Sequence, residues 1–108
     1  MDYTDVLRSL AVSDAEFAKG RLETLTLDPK SLALTRLAAL VAVGGAVASY
    51  GAEADAAVSL GATTAEIVDV LVGIVPVVGL PRVVAAAPRV AMALGHDIDN
   101  GQGWEQDD

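Results

Sequence analysis

Three neighbouring side chains near the middle of the chain carry groups that can hold or transfer a proton. They are the hydroxyl of Ser49, the phenol of Tyr50 and the carboxylate of Glu53. Spacings of three and four residues connect them with one another and with Ala46, which places all four on one face of a helix. A carboxylate in an apolar pocket has a raised pKa and can act as a general acid or base. Ser49, Tyr50 and Glu53 are therefore the candidate catalytic residues.

A simpler interpretation of the same segment stays open. Glu53 and Asp55 are also explained as solvated acids near the start of a helix, where negative charge is favoured. The two interpretations differ in what they expect around Glu53. An enclosed Glu53 favours catalysis, whereas an exposed Glu53 favours a scaffold or a binding module.

The arginines are the other candidates for binding. Arg82 and Arg89 lie seven residues apart and either bind an anion together or pair with acids of a neighbouring helix. Arg36 lies in an apolar segment, so we expect a buried ion pair for it, within the subunit or across a subunit interface, rather than substrate binding. His96 follows Gly95 and is expected to be a surface residue at a helix end.

Composition excludes several classes of function. Cysteine is absent, which removes disulfides, thiolate zinc sites and thiol nucleophiles. Lysine and arginine total 7 against 15 acids, a net charge of −8 without a basic stripe, so nucleic-acid binding is disfavoured. Asp97 and Asp99 lie near His96, but a glycine-rich segment would not hold metal ligands rigidly. The sequence predicts neither a metal nor a cofactor.

The apolar content predicts assembly. Of the 108 residues, 53% are apolar and 20% are charged, and the mean hydropathy is +0.46. A single domain of this size buries only about two thirds of its unfolded surface. The longest uncharged run, 37–52, is interrupted by Gly44 and Gly45 and is too short to span a membrane. Residues 1–5 are acidic and show no secretory signal, so we expect a cytoplasmic protein. We expect it to bury its excess apolar surface in a homo-oligomer and not in a membrane.

Helix signals predict one all-α domain over residues 1–95 and an acidic tail over 96–108, where Trp104 is a candidate interface anchor. Capping boxes begin at Ser13 and at Thr63, and Asp28 followed by proline starts the central helix. The predicted helices are 5–10, 14–23 with Phe17 inward, a central helix from 29 that Gly44-Gly45 breaks or kinks, and 46–60. They are followed by a helix from 64 ended or kinked by Pro76, and by a last helix that starts at Gly79-Leu80-Pro81 and is ended by Gly95.

Several short segments occur in an order and spacing similar to those of a known family. The segments are 27–30, 36–40, 56–63, 66–71 and 78–81, of which Gly-Ala-Thr-x-x-Glu-Ile followed by Gly-x-Pro is the most specific pattern. The chain thereby resembles the carboxymuconolactone decarboxylase-like family, which includes the alkyl hydroperoxidase D proteins, over residues 27–94. The resemblance implies a small helical bundle of the alkyl hydroperoxidase D-like type, assembled as trimers, hexamers or similar rings.

The resemblance does not extend to the chemistry of that family. Its two cysteines correspond to Ala46 and Ser49, its histidine to Glu53 and its glutamate to Leu34. All four are replaced, which implies a member without thiol peroxidase activity. We expect either a degenerate, non-redox oligomer with a scaffold or small-molecule-binding role, or an enzyme of decarboxylase or isomerase type. In the enzyme, Glu53 with Tyr50 or Ser49 would act as general acid or base on a small organic acid or lactone.

Overall fold

The computed structural model describes residues 2–22 and 25–95, and all regular secondary structure there is α-helical, as predicted. The predictions for the tail 96–108, with His96 and Trp104, and for the side chain of Phe17 lie outside the described part. The helices are α1 (Tyr3–Ala11), α2 (Ala15–Arg21), α3 (Pro29–Val43), α4 (Val47–Ser59), α5 (Thr64–Gly73), α6 (Val75–Val78) and α7 (Leu80–Ala93).

Helix α3 lies at the centre of the bundle and contacts α4, α5 and α7. The carboxylate of Asp28 accepts hydrogen bonds from the Ser31 amide at 3.0 Å and from the Ser31 hydroxyl at 2.7 Å, and Pro29 occupies the first helical position. These two hydrogen bonds lower the pKa of the Asp28 carboxyl below its usual range, and the bond from the Ser31 amide has the larger effect. The predicted start of α3 is confirmed, and Leu37 and Val41 are fully buried.

A short glycine link joins α3 to α4. Gly44 ends α3 in the left-handed region, with φ 76°, and donates its amide to the Leu40 carbonyl at 2.9 Å. A Cβ atom at Gly44 would lie 2.7 Å from Arg82 Nη1, and one at Gly45 would overlap Leu40 Cδ1. The positive φ favours glycine at position 44, and a side chain at position 45 would require Leu40 to shift. The chain reverses here so that α3 and α4 pack as a helical hairpin.

The predicted capping box at Thr63 forms in full. The Thr63 hydroxyl accepts from the Glu66 amide at 3.1 Å, and Glu66 Oε1 accepts from the Thr63 amide at 2.9 Å. Glu66 Oε2 also accepts from Lys30 Nζ at 2.9 Å, which ties the start of α5 to the first turn of α3. The hydrogen bonds from the Thr63 amide and from Lys30 lower the pKa of the Glu66 carboxyl below its usual range, and the Thr63 bond has the larger effect.

The predicted helix from residue 64 ends before Pro76 and does not continue through a kink. The valine-rich segment that follows forms a separate short helix. Helix α5 ends at Gly73, and Pro76 lies in the first turn of the separate short helix α6. Gly79, with φ 90°, then leads into α7, whose first turn contains Pro81. Proline is tolerated in both first turns because its missing amide would have no helical acceptor there.

The core of the bundle consists mainly of small side chains. Leu37, Ile67, Val41 and Val90 are its largest fully buried residues. Ala54, Ala57 and Ala86 are also fully buried, and small side chains allow their helices, α4 and α7, to approach closely. Apart from Tyr50, every buried residue in the described part of the chain is aliphatic, so apolar burial is the main force that holds this core together.

The predicted capping box at Ser13 is wrong. An N-cap residue has extended backbone, whereas Ser13 lies in the left-handed region with φ 62°. The Ser13 amide donates to the Leu10 carbonyl at 3.0 Å, and the Asp14 amide donates to the Ser9 carbonyl at 2.9 Å. Ser13 therefore terminates α1 instead of capping α2, because the link between the two helices is so short.

Helix α1 presents an apolar face that the other described residues do not cover. Tyr3, Leu7 and Leu10 follow one another at helical spacing and are 63%, 67% and 53% exposed. The helix contains no buried residue and packs mainly against α2.

In the described residues no helix is both long enough and apolar enough to cross a membrane.

Replacing Gly44 by alanine tests the α3–α4 link. We expect Gly44→Ala to lower the free energy of unfolding by about 1–3 kcal/mol, because alanine is strained at positive φ and the Arg82 guanidinium must move away. Gly51→Ala is the matched control, since Gly51 lies within α4 and its Cβ would meet nothing within 4 Å. Urea denaturation should show that variant to be unchanged or more stable. Equal losses in both variants would contradict the role of Gly44.

Glu66 should make the stability depend on pH. A carboxyl with a lowered pKa in the folded state stabilises the protein above the ordinary glutamate pKa and loses this effect as the pH falls through the folded value. Glu66→Gln should therefore be less stable than the wild type near pH 7, and this difference should shrink near pH 3. Asp69→Asn, on the exposed side of α5, is the control. Denaturation curves that show the same difference at both pH values would contradict the prediction.

Candidate functional site

Two of the three candidate catalytic residues line an open cleft between α3 and α4, which we call the α3–α4 cleft. Its volume is about 410 Å³. Helical spacing positions its walls, because side chains three and four residues apart share one face of each helix. The lining residues are Arg36, Ala39, Leu40 and Val43 from α3, and Ser49, Ala52 and Glu53 from α4.

The α3–α4 cleft contains charges of both signs. Arg36 is exposed and Glu53 is half-buried. Within the described part of the chain, neither side chain forms an ion pair or a hydrogen bond. The buried ion pair predicted for Arg36 does not form among the described residues of the subunit, where this side chain lines the open cleft. A pair across a subunit interface stays a prediction. Both charged groups are available to a ligand.

Tyr50 is separated from the other two candidates. It is 4% exposed and belongs to the core, where Ala54 and Ala57 follow it on the buried side of α4. One residue advances a helix by about 100°, so Ser49 faces the α3–α4 cleft while Tyr50 turns inward. The spacing predicted one shared face for Ser49, Tyr50 and Glu53. In the structure Ser49 and Glu53 line the α3–α4 cleft, whereas Tyr50 lies in the core.

The position of Glu53 on α4 excludes a favourable interaction with the helix N-terminus as the explanation for this acid. Glu53 lies in the middle of α4, well beyond the first turn. A favourable interaction with the helix N-terminus falls off within the first turn, so it does not account for this residue. Glu53 is neither enclosed nor fully exposed. Asp55, in contrast, is exposed on the outer side of the helix, as a solvated acid would be.

A second cleft lies between the start of α4 and α7, and we call it the α4–α7 cleft. It has a volume of about 340 Å³. Arg89 donates from Nη1 to the Ala85 carbonyl of its own helix at 3.0 Å. The expected pairing of Arg82 and Arg89 with acids of a neighbouring helix does not occur among the described residues. The lining residues are Gly44, Gly45, Ala46, Tyr50, Ala85 and Arg89.

The position of Arg36 in the α3–α4 cleft and the bond between Lys30 and Glu66 were not predicted from the sequence. Arg36, Leu40 and Val43 repeat at helical spacing on α3, which would have indicated a shared face. That signal becomes informative only when α3 and α4 are paired as a hairpin. Lys30 and Glu66 lie 36 positions apart in the sequence, and no local pattern connects them.

Comparison with known proteins leaves the family open. No model of a protein family, no curated protein and no solved structure matches the chain. The resemblance to the carboxymuconolactone decarboxylase-like family therefore stays a prediction. Among the described residues, no three acidic or histidine side chains are grouped as the ligands of a metal ion.

Proposed function

We propose that this protein is a non-redox, oligomeric member of the carboxymuconolactone decarboxylase-like family that binds a small organic acid in the α3–α4 cleft. One observation carries the proposal. Arg36 and Glu53 come from different helices, line the same cleft, and have no partner within the described residues. The absence of cysteine supports a non-redox function.

The chemistry of the lining defines the class of ligand. A guanidinium binds a carboxylate through two parallel hydrogen bonds, which suits Arg36 to the acid group. The Glu53 carboxylate accepts hydrogen bonds, so it suits a hydroxyl or ammonium group on the same molecule. Leu40 and Val43 offer apolar contact to a short carbon chain. A small hydroxy or amino acid satisfies all three requirements.

An enzymatic role for Glu53 is the second candidate. Ser49 and Glu53 line one cleft, one helical turn apart on α4. Glu53 is then the general acid or base on the bound organic acid or lactone, and Ser49 orients a substrate oxygen. Tyr50 contributes less to this reaction than the spacing suggested, because its ring belongs to the core.

Uncovered apolar faces support the oligomeric part of the proposal. Monomers seldom leave many large apolar side chains exposed in adjoining positions. Val68 and Val72 are 46% and 65% exposed one turn apart on α5, and Leu80 and Val84 are each 59% exposed on α7. Together with the apolar face of α1, these positions provide the surface that a trimer or hexamer would bury.

Substitution of the two charged residues tests the organic-acid site. We expect a screen of small hydroxy and amino acids by calorimetry to yield a ligand that Arg36→Gln binds about tenfold more weakly, because a charged hydrogen bond is lost. Glu53→Gln should weaken binding of the same ligand and abolish any turnover. Arg8→Gln is the control, since Arg8 lies on α1 and pairs with Asp5 at 3.0 Å. The proposal fails if no acid binds, or if Arg8→Gln and Arg36→Gln weaken binding equally.

Light scattering tests the oligomer. At micromolar concentration we expect a mass of at least two subunits, with three or six subunits as the specific expectation, because the apolar faces of α1, α5 and α7 need cover. The subunit mass is 11.0 kDa. A stable monomer under these conditions would refute assembly while leaving the organic-acid site to its own test.

A further inference from the structure

The N-terminus of α4 differs from those of α3 and α5 in having no capping side chain. Asp28 and Thr63 cap α3 and α5, whereas the N-cap of α4 is Ala46, which makes no side-chain hydrogen bond. The first turn of α4 also contains no acid. The amides of a first helical turn lack acceptors within the helix and carry a partial positive charge. The α4–α7 cleft opens at this uncapped end.

A buried polar side chain points to a ligand at the same place. Tyr50 is 4% exposed, and its hydroxyl has no hydrogen-bond partner within the described residues. No described polar side-chain atom is both sealed from solvent and unpaired, so the hydroxyl oxygen must remain accessible. The cleft that Tyr50 lines is the α4–α7 cleft. A buried tyrosine usually finds a partner for its hydroxyl, and here this cleft is where one can bind.

Two arginines add positive charge at this end of α4. Arg89 lines the cleft, and its bond to the Ala85 carbonyl occupies one nitrogen of a guanidinium that has five N–H donors. The Arg82 guanidinium lies against Gly44, at the edge of the cleft. From residue 70 to residue 95 these arginines are the only charged residues. Although the chain as a whole is acidic, this part of it carries only positive charge.

We propose that the α4–α7 cleft binds a phosphate group, either as the free ion or on a small phosphate monoester. The Ser49 amide donates to the Ala46 carbonyl at 3.0 Å, so the amides of Val47 and Ala48 are the first-turn donors of α4 that remain for the phosphate oxygens. The Tyr50 hydroxyl and the Arg89 guanidinium donate to the same oxygens, and Arg82 adds charge. Among the described residues that line the cleft, none is acidic. A phosphate suits this set better than a carboxylate, because it has more acceptor oxygens and more negative charge for donors that arrive from two helices. This site is independent of the organic-acid site in the α3–α4 cleft.

Titration with inorganic phosphate at constant ionic strength tests the proposal. Nuclear magnetic resonance should show shifts of the amides of residues 45–50. Arg89→Gln should weaken the affinity about tenfold, because it removes a charged donor. Tyr50→Phe should weaken it severalfold, and it retains the buried ring and so the fold. Arg8→Gln makes the same change of charge on α1 and should bind phosphate as the wild type does.

Three outcomes would overturn the proposal. The first is the absence of amide shifts at residues 45–50 with phosphate at about 10 mM, which is far above the dissociation constant of a specific site. The second is an equal loss of affinity in Arg8→Gln and Arg89→Gln, which would show only a general effect of charge. The third is acetate binding as tightly as phosphate. If Arg89→Gln loses helicity, the affinity of Tyr50→Phe for phosphate, compared with that of the wild type, decides between the proposal and its rejection. A small phosphate monoester that binds more tightly than the free ion would show that the phosphate is carried on such a monoester.

Discussion

The reversal of the chain between α3 and α4 is the constraint on which both clefts depend. Gly44 adopts a positive φ, and a Cβ atom at Gly44 or Gly45 would displace the side chain of Arg82 or Leu40, respectively. The link is so short that α4 must pack back along α3. This packing brings residues of α3 opposite residues of α4 in one cleft. The same link leaves the first turn of α4 open towards α7 in the other.

Local signals in the sequence were sufficient for most of the helices and insufficient for the candidate site. Asp28 and Thr63 were predicted correctly because the residues that satisfy their caps lie three positions away. Ser13 has the same local pattern, but the end of α1 requires a left-handed residue there and takes precedence. Ser49 and Tyr50 were assigned to one face because spacing defines an arc on a helix. Spacing does not tell which neighbouring helix covers each part of that arc.

The two clefts differ in electrostatic character, although they share α4. The α3–α4 cleft presents an unpaired carboxylate from Glu53 and an unpaired guanidinium from Arg36. In the described residues, the α4–α7 cleft presents donors without an acidic side chain. The two sides of one helix thereby present different chemical groups. The separation follows from the helical repeat, since adjacent residues on α4 face different neighbours.

The small side chains on the buried side of α4 give the helix a mechanical property. Alanine has no side-chain rotamers, so the buried Ala54 and Ala57 cannot absorb a change in the position of α4 by repacking. Ser49 and Tyr50 are adjacent on this one rigid element, so a displacement of α4 would move a wall of each cleft at the same time.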